Sequence, residues 1–183
     1  MFQAGPLITM PMKTQVITVL AVLAAAGGLF AGEPKTATQR SAEFERMKGL
    51  VGTWKGNADM GQGPMDFTVA YRLISGGNAV EERIFAGTPK EMVTMYYDQN
   101  GKLALTHYCM LGNRPAMLLK SSTPKAIQFD FDPKCGVDEK SEMHMHALTL
   151  TFGDADTLTQ DWKLFEDGKA KESHPFTLKR VKL

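Results

Sequence analysis

Two short stretches place reactive side chains two residues apart. LTHYCMLGNRP, residues 105–115, carries His107 and Cys109, and EMHMHALTLTF, residues 142–152, carries His144 and His146. Imidazole nitrogens bind metals and exchange protons near neutral pH, and a thiolate is both metal ligand and nucleophile. A spacing of two is the repeat of a β-strand, in which alternate side chains leave by the same face. Over residues 103–111, Leu103, Leu105, His107, Cys109 and Leu111 share one face, with Ala104, Thr106, Tyr108 and Met110 opposite. Over residues 144–152, His144, His146, Leu148, Leu150 and Phe152 oppose Met145, Ala147, Thr149 and Thr151. The imidazoles and the thiol side with the leucines, so they are expected to point inward.

The same alternation brings further polar groups inside. Glu82 lies between Val80 and Ile84 on one face, and Gln160 shares a face with Leu158, Trp162 and Leu164. Ile127, Phe129 and Phe131 supply apolar wall, and Phe176, Leu178 and Arg180 share the face of the last strand. An unpaired ionisable group inside costs several kcal/mol, so such groups must pair, bind water or bind something else.

The elements that position them are nearly all strands. Ser41 is a fair N-cap for a short helix, with Glu43 and Glu45 in its first turn and Phe44 and Met47 on one side. Beyond it the period is two. Strands are expected over residues 51–58, 65–74, 79–86, 91–98, 102–110, 115–121, 126–132, 142–152, 157–165 and 174–182. SGGN, DQNG, LGNRP, STPK, GDAD and EDGK separate them, and Gly, Asn and Pro suit such turns because they accept or preset the required φ. Asn100–Gly101 is the best hairpin signal. About ten strands without crossover helices make an antiparallel meander, and a meander of that length removes its edges by closing. The expected fold is all-β: an antiparallel up-and-down barrel of about ten strands with a short N-terminal helix.

Of the 183 residues, 22% are charged and the net charge is +1. No basic cluster of the kind that binds nucleic acid or anionic membrane by counterion release is present. MKTQVITVLAVLAAAGGLFAG, from Met12, has a lysine, an apolar run and small residues, the form of a secretory signal cut after Ala31. The run is shorter than the ~20 residues that span a bilayer, so no stable membrane insertion is expected after cleavage. Residues 1–31 are read as a signal with an upstream extension, 32–40 as a linker and 41–183 as one barrel domain, exported to a periplasmic or extracellular setting as a monomer. Export permits a disulfide, and whether Cys109 and Cys135 join stays open.

LVGTWKG, with Gly52 and Trp54 opening the first strand, resembles the Gly-x-Trp start of the lipocalin and fatty-acid-binding superfamily. Arg180 matches the late arginine that packs across that tryptophan. EMVTMYYD, LTHYCMLGNRPAM, FDF and HMH together resemble an exported bacterial family of unknown function with a lipocalin-like barrel. Gly-Thr-Trp is also similar to the opening of haem-binding barrels of the nitrobindin type, whose axial histidine on a late strand would correspond to His144 or His146.

Several chemistries suit the interior. The leading one is a small, partly apolar ligand with His107, His144 and His146 as polar contacts, Glu82, Cys109 and Gln160 as secondary ones, and hydrocarbon from Phe129, Phe131, Leu148 and Leu164. The alternative is a metal or haem site using the same three histidines, with zinc, copper or haem as the group held. Lumenal acid–base catalysis stands third. Neighbours two apart on one strand are ~6–7 Å apart, too far for direct proton transfer between Cys109 and His107. A satisfied internal hydrogen-bond network is the remaining reading.

Overall fold

The computed structural model describes residues 40–59, 63–171, 173 and 175–182. The expected signal over residues 1–31, all of the expected linker but Arg40, and His174 lie outside the described residues. Helix α1 (Ala42–Lys48) precedes strands β1 (Gly52–Asp59), β2 (Pro64–Ile74), β3 (Ala79–Ile84), β4 (Met92–Gln99) and β5 (Lys102–Tyr108). There follow β6 (Ala116–Ser122), β7 (Ala126–Phe131), β8 (His144–Phe152), β9 (Thr157–Glu166), the two-residue β10 (Lys169–Ala170) and β11 (Phe176–Arg180). Every expected strand is present to within two residues at each end, and only β10 is additional.

All pairings are antiparallel. β1 to β8 follow in sequence order, β8 pairs with β9, β9 with β11 and β11 with β1. Ten strands thus close a barrel, with β10 a short extension on β9. No helix among the described residues is long and apolar enough to cross a membrane. The turns follow their residue chemistry: Asn100 and Gly101 both have positive φ, 53° and 77°, as the two-residue turn between twisted strands requires.

One end of the barrel is sealed. Ser41 caps α1, its Oγ accepting from the Phe44 amide at 3.0 Å and donating to Asp98 Oδ1 at 2.6 Å. Asp98 Oδ2 also accepts from the Ser41 amide at 2.7 Å, which ties the start of the helix to β4. Phe44 and Met47 are fully buried in the core. Arg46 donates to the Thr123 and Pro124 carbonyls and covers the Phe152 ring, its guanidinium 4.3 Å from the ring centre. Trp54 Nε1 donates to the Leu50 carbonyl at 2.8 Å, and the Arg180 guanidinium lies 4.2 Å over the indole. Arg180 also donates to the Val51 carbonyl at 2.9 Å and the Gly49 carbonyl at 2.7 Å.

Gly52 has a local reason within this cluster. Its φ is +132°, and a Cβ there would stand 3.2 Å from Arg180 Nη1. The Gly-x-Trp sequence therefore leaves room for the arginine that covers the tryptophan.

Arg180→Ala is expected to destabilise the barrel by about 2 kcal/mol, through loss of the ring contact and exposure of two carbonyls without partners. Urea unfolding measures this. Arg180→Lys should recover less than half, since one ammonium cannot reach both carbonyls and cover the ring.

Candidate functional site

Glu82, on β3, is buried at the centre of the barrel. Its Oε2 accepts from the Tyr96 hydroxyl at 2.7 Å, and its Oε1 accepts from the Tyr71 hydroxyl at 3.2 Å and from Gln160 Nε2 at 2.5 Å. Thr94 is a further hydrogen-bond partner of the carboxyl. Gln160 Nε2 lies 2.5 Å from the Tyr71 oxygen as well, and Gln160 Oε1 accepts from Trp162 Nε1 at 2.8 Å. Gln160 and Trp162 belong to β9, four strands from β3 around the ring, so the network crosses the interior. Burial raises the Glu82 pKa while the surrounding donors oppose the rise. Burial, followed by the charge on Glu82, holds both tyrosine phenols well above their ordinary range. Both phenols stay protonated and donate.

His107, on β5, continues this network. Its Nδ1 lies 3.0 Å from Thr94 Oγ1, and its ring sits 4.5 Å from the Trp162 ring. Its Nε2 is buried with no hydrogen-bond partner among the described residues. Burial lowers its pKa to about 4, so the imidazole is neutral at pH 7.

Above the Glu82 layer, at the end of the barrel away from α1, lies a cavity of about 870 Å3. Ile84, Phe85, Met92, Met145, Leu164 and Phe176 supply its apolar wall. His107 and Trp162 line it from within, and Asn57 and Asp59 from the end of β1. Asn57 Nδ2 donates to Asp66 Oδ1 at 2.7 Å, and Asp59 Oδ1 accepts from the Gly63 amide at 3.0 Å. A volume of this order is that of a small-molecule pocket.

His144 and His146 stand apart from this lining because of a β-bulge. Met145 pairs with Leu164 and Ala147 with Lys163, so His146 is an extra residue on β8. The bulge reverses the alternation before it. Met145, expected outside, lines the cavity beside Leu164, and His144 pairs with Phe165 on the opposite face. Both histidines join a ring cluster: His146 stacks on Phe165 at 3.6 Å and on Phe131 at 5.1 Å, and His144 lies 4.6 Å from Phe131. His144 Nδ1 donates to the Glu142 carbonyl at 2.6 Å, leaving Nε2 to accept from His146 Nδ1 at 3.1 Å. Burial, then the neighbouring His144, lowers the His146 pKa.

Of the residues singled out in the sequence, Glu82, Gln160 and His107 meet in one network, whereas His144 and His146 form a second. Cys109 is buried with Sγ 4.0 Å from Met92 Sδ, and burial raises its thiol pKa, which suits packing and not nucleophilic attack. Cys109 and Cys135 are both free thiols. Phe129 and Leu148 are core, while Leu164 lines the cavity. Tyr71, Thr94 and Tyr96 complete the network. Their signal was inner-face alternation with Val69 and Met92, in strands whose polar groups drew no attention.

Zinc or copper does not fit the three imidazoles. Both His144 nitrogens are engaged, and no group of three or more His, Cys, Asp or Glu side chains suited to a metal occurs among the described residues.

Two outcomes follow for stability. His107 takes up a proton near pH 6.5 when unfolded and near pH 4 when folded, so its contribution is intact above pH 6.5 and falls as the pH drops towards 4. Relative to His107→Leu, the protein should lose about 3 kcal/mol between pH 7 and pH 4, read from paired urea titrations. Glu82→Gln turns an amide NH2 towards groups that already donate, and should lower stability at pH 7 by about 3 kcal/mol in the same titrations.

No protein-family model matches the chain. No curated protein matches it in sequence. A solved structure from Nostoc punctiforme, a protein with unknown function from the DUF3598 family, is similar with a TM-score of 0.50 and 14% identity. The likeness covers 74% of this chain and 49% of that one, so the chain spans about half the length of that structure. At this identity the likeness is one of fold, and the fold is an antiparallel β-barrel.

Proposed function

We propose that the chain is an exported, monomeric, lipocalin-like carrier that holds a small, partly apolar molecule in the cavity above Glu82. The observation that carries this reading is His107 Nε2: a buried polar atom without a protein partner, on a ring that lines an apolar cavity. Such atoms are rare in folded proteins because each forfeits a hydrogen bond that water had supplied. A bound molecule supplies the partner.

In this reading His107 is the polar contact and Trp162 a flat apolar one. Glu82 and Gln160 act through Thr94 and Trp162, which they hold in place. His144 and His146 hold the bulge that turns Met145 inward, and Cys109 backs Met92.

A second reading, a haem pocket, is favoured by the same atom. A neutral imidazole with an open Nε2 in apolar surroundings is a competent axial ligand, and here that residue is His107, since His144 has no nitrogen free.

Protein purified under native conditions and then denatured should release close to one equivalent of a small, partly apolar molecule, identified by mass spectrometry. Met145→Trp, which fills the cavity, should carry roughly tenfold less with an unchanged far-ultraviolet spectrum. Empty protein that also takes up no hydrophobic fluorescent probe would overturn the carrier reading, and a Soret band would establish haem in its place.

A further inference from the structure

The cavity's chemistry also bears on which end of a ligand meets His107. The Thr94 hydroxyl has one proton and two partners, His107 Nδ1 and the Glu82 carboxyl. Every other group around that carboxyl donates to it, from Tyr71, Tyr96 and Gln160. A carboxylate oxygen is a stronger acceptor than an imidazole nitrogen in the same position. The Thr94 proton therefore goes to Glu82, and the Thr94 oxygen accepts from His107 Nδ1–H. A neutral imidazole carries one N–H, so Nε2 is left as a lone pair.

The neighbouring donors are already in use. Trp162 Nε1–H is held by Gln160, and the Asn57 amide by Asp66. Lys and Arg are absent from the cavity lining among the described residues. A carboxylate head would therefore meet a lone pair with no cation to offset it.

We infer that the cavity selects a neutral amphiphile whose polar end is a hydrogen-bond donor (a phenol, an alcohol or an N–H group) and rejects fatty-acid-like carboxylates. This rests on the carrier function proposed above and assigns its ligand class. Thr94 is the positioning residue: it fixes the tautomer of His107 and so the sign of the preference.

Three probes of nearly equal shape test it: 4-butylphenol, which donates, 4-butylanisole, in which the donor is capped, and 4-butylbenzoate, which is anionic. Calorimetric titration into the delipidated protein at pH 7 should give the phenol roughly tenfold tighter binding than the anisole, with the benzoate weakest. His107→Leu should bind phenol and anisole alike. Thr94→Val frees the imidazole to carry its proton on Nε2, and should erase or reverse the preference while still binding both, an outcome that loss of folding cannot imitate. Equal binding of phenol and anisole by the unaltered protein, or a preference for the benzoate, would overturn the donor rule and leave the carrier reading standing. No binding of any probe would overturn both.

Discussion

A carboxylate buried among hydroxyls and amides sets the plan of this barrel. Glu82 is tolerable inside only while its oxygens are surrounded by donors, and those donors come from β2, β4 and β9. The cross-strand register supplies them in a belt: Tyr71 stands opposite Glu82, Glu82 opposite Thr94, and Thr94 opposite His107. A slip of one residue in any of these pairings would turn a member of the belt to the other face and strand the rest. The charge thus specifies register where hydrocarbon alone would accept more than one alignment. Beneath the belt the interior is filled by Val80, Tyr96, Leu105 and Trp54, and above it lies the cavity.

Adjacent carboxylates on β3 show how one strand handles two environments. Burial would raise the Glu81 pKa, but Arg83 and Arg72 outweigh it and hold the carboxyl below its ordinary value. Both guanidiniums reach Glu81 Oε1 at 2.7 Å, and Arg83 continues to Glu91 at 2.8 Å. Glu82, one residue on, has neutral donors only, and its pKa moves the other way. The outer ion pairs join β2, β3 and the start of β4 around the wall. The inner network joins the walls through the middle.

Much of this was legible in the sequence, and the rest was hidden for identifiable reasons. Turn residues marked the strand ends, and strict alternation put Glu82, His107 and Gln160 on the inner face, where they are. The segment from His144 to Phe152 alternates without interruption, yet His146 is an extra residue in the ladder, and a bulge there leaves no mark on the pattern of polarity. Alternation alone therefore grouped three imidazoles that belong to two clusters. Tyr71 and Tyr96 escaped for another reason. A tyrosine on an apolar face reads as core, and the partner of its hydroxyl lies on a different strand.

The asymmetry of the two ends has its own bearing on traffic. With α1, Trp54 and Arg180 locked across the base, the tube has a floor and no through-passage. Whatever enters must leave by the same door, so a solute's residence depends on how the rim loops breathe and not on a gate at the far side. Such a shape is a vessel and not a conduit.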